Sequence, residues 1–315
     1  MAIAGGGVNA DEAHPHRGPG FRIAMTFVVP APAGIVVQVR LRQVQPGDAI
    51  AVGLLAQLGD DLGQFAGELL RAGDSVRVAV VDDEVVGAAK AWGSAWHPAW
   101  NWAHVAVSPA HRRQGVGSAL LKDLQSAGPV KTKVRMESGS AQFVAAARWQ
   151  VIQASANYVL AGQPTGAVDA EPCTQPRDCI ADAYLTFYRR AHRWDPVGGG
   201  ITAEDMLAAT VEGATCTLLV GEPKHPDAVA CMWEEDEAWE FSGGPCRDGA
   251  EAAAGLLLAQ ARAIAGRKPV LVEADSDMAE MLAALHRLGA EPTDVVHIMA
   301  STMPPTNGPV EPGSD

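Results

Sequence analysis

The chain contains few of the residues that would indicate a secreted, metal-binding or membrane protein. Its five cysteines are an odd number among 315 residues and show no Cys-x-x-Cys spacing, so we expect neither a disulfide framework nor a metal site. No apolar run reaches the roughly 20 residues of a membrane-spanning helix, and the first residues lack the charged start and long apolar stretch of a secretory signal. The sequence therefore predicts a cytoplasmic protein without membrane contact.

Basic residues are also scarce. The chain has 24 Lys and Arg against 37 Asp and Glu, a formal net charge of -13. This excess of negative charge argues against nucleic acid as a partner and is compatible with a cationic ligand. A length of 315 residues is sufficient for two domains of ordinary size.

The most informative segment, residues 105–122, contains an apolar strand end, a basic loop with two glycines, and an apolar helix. Gly115 and Gly117 lack a Cβ, so consecutive backbone N–H groups can converge on an anion. The dipole of the following helix favours negative charge at the same place. Arg112 and Arg113 add guanidinium groups, which suit phosphate oxygens. The segment therefore predicts a pyrophosphate-binding loop.

Other glycine-rich phosphate loops fit this segment less well. A Walker loop needs a terminal Gly-Lys-Ser/Thr, and a dinucleotide fingerprint needs a small residue near Leu120. The run Arg112-Arg113-Gln114-Gly115-Val116-Gly117 resembles instead the Q/R-x-x-G-x-G/A motif of the GNAT superfamily of acyl-CoA-dependent N-acyltransferases. The alternative is an ordinary basic helix start. The resemblance implies acetyl-CoA as cosubstrate, bound by Arg112, Arg113, Gln114, Gly115, Val116, Gly117 and Ser118.

The order of predicted elements in the first half is similar to one complete GNAT domain. Residues 1–34 have the composition of a flexible extension, and we expect the catalytic domain over residues 35–162. Apolar periodicity predicts strands over 36–44, 76–81, 85–92, 100–107, 130–136 and 151–160, and helices over 49–58, 65–70, 115–126 and 141–148.

The second half repeats this order without the phosphate loop. A linker at 163–178, a second domain at 179–302 and a flexible tail at 303–315 are expected. At the position of the loop, Asp248 and Glu251 would repel a pyrophosphate. We predict an α/β fold with a mixed sheet, in tandem GNAT-like domains of which the second is degenerate. Its predicted strands are 215–220, 228–233, 239–242 and 269–273, and its helices 255–264 and 278–288.

The resemblance also implies which residues surround the reacting atoms. The pantetheine arm lies against the splayed end of the central strand in this family, which implies backbone contacts from Val105, Ala106 and Val107. A buried core strand would have the same residues. Asn101 is at the frequent base position and can only orient a water. His104 is the nearest titratable residue, either as base or as a packed structural histidine.

Strand alternation places His104 and Asn101 on opposite faces, unless the strand has the bulge common in this family. His97, in the preceding loop, is a further base candidate. The family's usual acid, a tyrosine, is replaced by Val144. Tyr158, Ser138 and Ser140 are alternatives, as is a proton from solvent.

Two further groups bear on the acceptor. Four tryptophans at 92, 96, 100 and 102 form either a substrate wall or cover for a sheet edge or subunit interface. The acidic run at 234–240 is either a solvated turn between strands or an attractor of cations.

The resemblance implies acetyl transfer to a primary amine of a small cationic acceptor by a homodimer. An antibiotic or related natural product is the expected acceptor, as in bleomycin-type resistance acetyltransferases. The alternatives are a metabolite or protein amine, in a mycothiol-synthase-like enzyme, or a non-catalytic acyl-CoA-binding protein.

Overall fold

The computed structural model describes residues 25–30, 36–58, 76–161 and 172–301. They form two compact units. The N-terminal unit comprises Ala13–Ser94, Pro98–Val151 and Ile298–Asp315, and the C-terminal unit includes Ala95–His97 and Ile152–His297. The predicted helix at 65–70 and most of the predicted linker lie outside the described residues.

A mixed sheet with helices on both faces forms the N-terminal unit. Its strands cross the sheet in chain order and all pair antiparallel except the last two, which are parallel. They are β1 (Met25–Pro30), β2 (Val36–Gln43), β3 (Val76–Val81), β4 (Glu84–Trp92), β5 (Asn101–Val107) and β6 (Val130–Val134), with helices α1 (Ala49–Leu58), α2 (Val116–Ser126) and α3 (Gly139–Ala146).

The two faces of this sheet have separate apolar cores. Val116 and Leu120 of α2 pack on one face with Ala103 and Val130. Helix α1 packs on the other face, where its buried side chains contact Ala106 and its neighbours on β3 and β4. Successive residues of a strand contribute to different cores because each side chain points to the face opposite its neighbour.

The predicted flexible extension at 1–34 is wrong over one stretch, since residues 25–30 form β1. This strand pairs with β2 along its whole length, from Met25 opposite Leu41 to Pro30 opposite Val36. The sequence Met-Thr-Phe-Val-Val-Pro is rich in β-branched and aromatic residues, which favour a strand.

The C-terminal unit also has a mixed sheet, in the order β7-β11-β10-β9-β8. Its one parallel pair among these is β10 with β11. The elements are β7 (Gln150–Leu160), α4 (Arg177–Ala191), α5 (Ala203–Met206), β8 (Cys216–Glu222), β9 (His225–Glu234), β10 (Trp239–Pro245), α6 (Glu251–Ala265), β11 (Val270–Asp275), α7 (Ala279–Arg287) and β12 (Pro292–Ala300).

The predicted strands and helices that fall on described residues are present, with ends that differ by a few residues. Helices α4 and α5 and strand β12 were not predicted. The apolar side chains of α4 recur at helical spacing, as at Ile180, Tyr184 and Phe187, and all three are buried. Among the described residues, no helix is long and apolar enough to cross a membrane.

Candidate functional site

The two parallel strands of the N-terminal unit separate part-way along their length. β5 and β6 pair at Asn101 with Val130 and at Trp102 with Lys131, whereas β5 continues to Val107 and β6 to Val134 beyond these pairs. Residues 105–107 of β5 are therefore not paired in this ladder, and we call the unpaired ends of these two parallel strands the wedge.

A tight loop joins β5 to α2 at the mouth of this wedge. It begins with a 3₁₀ turn over Pro109–His111, and the Gln114 Nε2 donates a hydrogen bond to the Ala110 carbonyl at 2.8 Å. Arg113 (φ 62°) and Gly115 (φ 81°) have a left-handed backbone. Glycine adopts this conformation readily, whereas a residue with a Cβ is strained by about 1 to 2 kcal/mol. Such strain is concentrated at ligand sites.

The start of α2 presents backbone donors beside this loop. The Ala119 N–H donates to the Gly115 carbonyl at 3.0 Å. By helix geometry, the N–H groups of residues 116–118 precede the intrahelical ladder and lie at the positive end of the helix dipole. The side chains of Arg112 and Arg113 are exposed. This combination can bind a phosphate or pyrophosphate.

Gly117, in the first turn of α2, is closely packed, so that a side chain there would contact α3 and the end of β5. A Cβ at this position would lie 3.2 Å from Phe143 Cε2 and 3.5 Å from Val107 Cγ2. The Arg112 Nε donates to the Val107 carbonyl at 3.1 Å, which ties the loop to the end of β5. The predicted phosphate-binding residues 112–118 therefore form one continuous segment from the loop into the start of α2, directly after Val105, Ala106 and Val107 at the end of β5, and their role in binding the cosubstrate stays a prediction.

His104 and Asn101 leave opposite faces of β5. The register between β4 and β5 is continuous from Trp92 opposite Trp102 to Gly87 opposite Val107. The bulge that the resemblance implied is therefore absent from this pairing, and the alternation is not shifted. His104 shares the α1 face with Ala106, is 6% exposed, and lies opposite the buried Lys90.

Two of the candidate acids, Tyr158 and Ser138, belong to different units. Tyr158 belongs to the C-terminal unit, where it is opposite Val272 and 4% exposed. Burial, and secondarily Glu291, raises the pKa of Tyr158. Ser138 caps α3: its Oγ accepts from the Ala141 N–H at 3.1 Å. His104, Asn101 and Tyr158 are thus divided between the two units, and their roles stay predictions.

The tryptophans do not share one environment. Trp100 is buried at 2% exposure, and Trp102 lies 4.2 Å from the Lys131 Nζ, measured to the ring centroid. Trp96 groups with the C-terminal unit and packs edge-on against Tyr188.

The acidic run at 234–240 joins β9 to β10, as one of the two alternatives predicted. The Glu235 N–H donates to the Ala238 carbonyl at 2.9 Å, and the Lys268 Nζ donates to Glu234 at 2.8 Å. Within the described parts of the chain, no group of three His, Cys, Asp or Glu side chains is placed to bind a metal.

The loop of the C-terminal unit that follows β10 binds the chain's own carboxylates. The Gly249 N–H donates to Glu280 Oε1 at 2.8 Å. Arg190 donates to Glu280 at 2.7 Å and to Asp248 at 3.0 Å. Sequence reasoning identified Asp248 but missed Arg190 and Glu280, because no local pattern reveals a contact across 90 residues.

Part of the first half of the chain matches a known protein family. Residues 72–149 match the family model of the acetyltransferase (GNAT) domain. This part of the chain is therefore similar to a GNAT acetyltransferase domain. GNAT acetyltransferases use acetyl-CoA as their acyl donor, and the matched region contains both the wedge and the loop. No curated protein matches the chain.

Solved structures share the fold across both units. A GCN5-related N-acetyltransferase from Sphaerobacter thermophilus is 17% identical with a TM-score of 0.56, over 85% of this chain and 96% of that one. A conserved protein of unknown function from Enterococcus faecalis V583 is 12% identical with a TM-score of 0.52, over 83% of this chain and 71% of that one. A tandem GNAT protein from the clavulanic acid biosynthesis pathway is 17% identical with a TM-score of 0.49, over 83% and 98%. At these identities, the first two likenesses establish the fold alone.

Proposed function

We propose that the protein transfers the acetyl group of acetyl-CoA to a primary amine of a small cationic molecule, with an antibiotic or related natural product as the acceptor. The observation that carries the proposal is the loop at residues 112–118, which lies at the mouth of a wedge between parallel strands. The acceptor class rests on the acidic charge of the chain and on the sequence resemblance. We further propose a cytoplasmic homodimer, which sedimentation analysis would test.

Each part of the reaction has a candidate group. In the transfer, the amine nitrogen bonds to the acyl carbon as the carbon–sulfur bond breaks, the amine loses a proton and the thiolate gains one. His104 is the proposed base, and Asn101 would orient a water. Tyr158 is the sequence candidate for the acid. A phenol is protonated at neutral pH, but the raised pKa of Tyr158 makes it a weaker proton donor, and solvent can also supply this proton.

Two other functions are compatible with the same donor site. A non-catalytic acyl-CoA-binding protein would tolerate Asn101 at the frequent base position and Val144 at the usual tyrosine position. A metabolite or protein amine would also be compatible with the same donor site, as in a mycothiol-synthase-like enzyme. Acetyl-CoA binding without turnover on any amine would favour the binding protein.

The test is coenzyme A release with a panel of cationic amines, combined with calorimetric titration of acetyl-CoA. Gly117→Trp should abolish both binding and turnover, because a Cβ at this position would already lie 3.2 Å from Phe143 Cε2 and 3.5 Å from Val107 Cγ2, so a whole indole must displace its neighbours or fill the phosphate loop. Gly47→Trp is the matched control in the same unit, since a Cβ at Gly47 has no heavy atom within 4 Å. Equal binding by the two variants would contradict the proposal.

The base assignment has a separate test. Loss of a general base costs about 100-fold or more in rate, so His104→Ala should lower kcat/KM by roughly that factor and remove one limb of the pH–rate profile. An unchanged profile would remove His104 from the mechanism.

A further inference from the structure

A cluster of aromatic rings and carboxylates in the C-terminal unit contains none of the residues predicted to bind acetyl-CoA. The rings follow one another through space: Tyr188 and His192 have centroids 4.1 Å apart, and those of His192 and Trp194 are 6.0 Å apart. Trp194 is next to a carboxylate, since its Nε1 donates to Asp275 Oδ2 at 3.4 Å. His192, Trp194 and Asp275 are only partly buried, so solvent reaches the cluster.

Hydrogen bonds fix the orientation of the His97, Tyr188 and His192 rings. The His97 Nδ1 donates to the Asp195 carbonyl at 2.8 Å, so in the neutral ring the Nε2 accepts from the Tyr188 hydroxyl at 2.9 Å. The His192 Nδ1 in turn donates to the Tyr188 carbonyl at 2.9 Å. These contacts fix the ring planes before any ligand arrives, which lowers the entropic cost of binding.

Asp275 has the capacity to accept more hydrogen bonds. It ends β11 opposite Ser155, whose Oγ donates to Oδ1, while Trp194 donates to Oδ2. A carboxylate has about four acceptor positions, so two donors leave room for the N–H groups of a ligand. Burial, followed by repulsion from Glu273 and Asp277, raises the pKa of Asp275 to about 6, and the group is charged at neutral pH.

The neighbouring charges favour a cation. Asp277, held by the Gln153 Nε2 at 2.8 Å, adds negative potential beside Asp275. Arg193 is the adjacent cation in sequence, and its guanidinium is directed to Asp248 at 3.4 Å. Indole faces attract ammonium groups within about 6 Å of the ring centroid, and the contact between Trp194 Nε1 and Asp275 Oδ2 means that a cation paired with Asp275 would also lie near this indole.

We propose that Asp275, Trp194 and His192 form a binding site for an organic ammonium ion in the C-terminal unit. The ligand class is that of the cationic acceptor, and the inference rests on the proposed function for this identification. The second unit would then contribute recognition of the amine, whereas the first binds the acyl donor.

Calorimetric titration with spermidine, a polyamine probe, tests the site. Asp275→Asn should weaken spermidine binding about tenfold or more, because a contact between an ammonium and a carboxylate is replaced by one to a neutral amide. Asp236→Asn is the matched control, since Asp236 is an exposed acid of the turn between β9 and β10. Trp194→Leu should also weaken binding, with Trp233→Leu as its control. Thermal unfolding and acetyl-CoA binding of each variant report whether the fold is intact.

The outcomes separate this inference from the proposed function. Loss of spermidine binding in Asp275→Asn and Trp194→Leu, with acetyl-CoA binding unchanged, supports the site even if no amine is acetylated. Equal spermidine binding by Asp275→Asn and Asp236→Asn overturns it even if turnover is observed. Absence of spermidine binding in the unsubstituted protein also overturns it.

Discussion

At the scale of single residues, Asp275 combines an unfavourable environment with a proposed role. An acid whose pKa is raised to about 6 by burial is more costly to ionise in the folded chain than in the unfolded one, where its pKa is 3.8. Functional sites often retain such costs. A ligand cation would offset part of this cost by pairing with the carboxylate, so binding and stability oppose each other at this residue.

The sign of the pH dependence follows from proton binding. Between pH 3.8 and about 6 the folded state binds more protons at Asp275 than the unfolded state does, so its contribution to the free energy of unfolding falls as the pH rises. Asp275→Asn lacks this dependence. We therefore expect the stability of the variant relative to the unsubstituted protein to rise by about 2 kcal/mol between pH 4 and pH 7.5.

Urea unfolding at the two pH values measures this difference, with Asp236→Asn as the control. A relative stability that does not change with pH would contradict the burial of the charged carboxylate. The combination of weaker spermidine binding and higher relative stability at pH 7.5 would distinguish a ligand-binding carboxylate from one that only stabilises the fold.

At the scale of elements, the packing of α2 against β4 depends on Gly87. A Cβ at this position would lie 3.0 Å from Leu120 Cδ1, 3.1 Å from Val116 Cγ1 and 3.3 Å from the Ala106 carbonyl. A larger side chain must therefore push the helix away from the sheet. Since α2 begins at the phosphate loop, such a shift would also move the donors proposed to bind acetyl-CoA.

We expect Gly87→Val to destabilise the protein by about 1 to 3 kcal/mol, the usual range for overpacking, and to weaken acetyl-CoA binding. Urea unfolding and calorimetry measure the two effects. Gly199→Val is the comparison, because a Cβ at Gly199 has no heavy atom within 4 Å. Unchanged acetyl-CoA affinity in a destabilised Gly87→Val would separate helix packing from the binding site.

The elements that could be predicted from the sequence are those whose patterns involve residues close together in the chain. Strand β3 and helix α1 have the predicted bounds because their patterns are local. The phosphate loop was also local, since its residues are consecutive. Helix α4 has the required periodicity, and a search for helical spacing after residue 176 would have found it.

The ammonium site could not be predicted, because its members come together only in the folded chain. Ser155 and Asp275 are separated by 120 residues in sequence, and Trp194 and Asp275 by 81. Each is unremarkable in its own segment. The opposite faces of His104 and Asn101 were predictable from strand alternation, whereas the continuity of the β4–β5 register required the structure.

At the scale of the whole molecule, the two units differ in what lies beside their parallel strands. In the C-terminal unit, Gly244 is so closely packed that a Cβ would lie 2.9 Å from Phe187 Cε2 and 3.0 Å from Met278 Cε. In the loop before the following helix, Glu280 accepts the Gly249 N–H and pairs with Arg190. An incoming pyrophosphate would meet this carboxylate rather than open amides.

We therefore expect each chain to bind acetyl-CoA at a single site, in the N-terminal unit. Calorimetric titration should give a stoichiometry of about one, because the loop before the C-terminal helix already donates a charge-assisted hydrogen bond from the Gly249 N–H to a carboxylate. Gly117→Trp should remove all binding rather than half of it. Residual binding at about half the original stoichiometry would show that the C-terminal unit also accepts the cosubstrate, and that Glu280 yields its contacts to a phosphate.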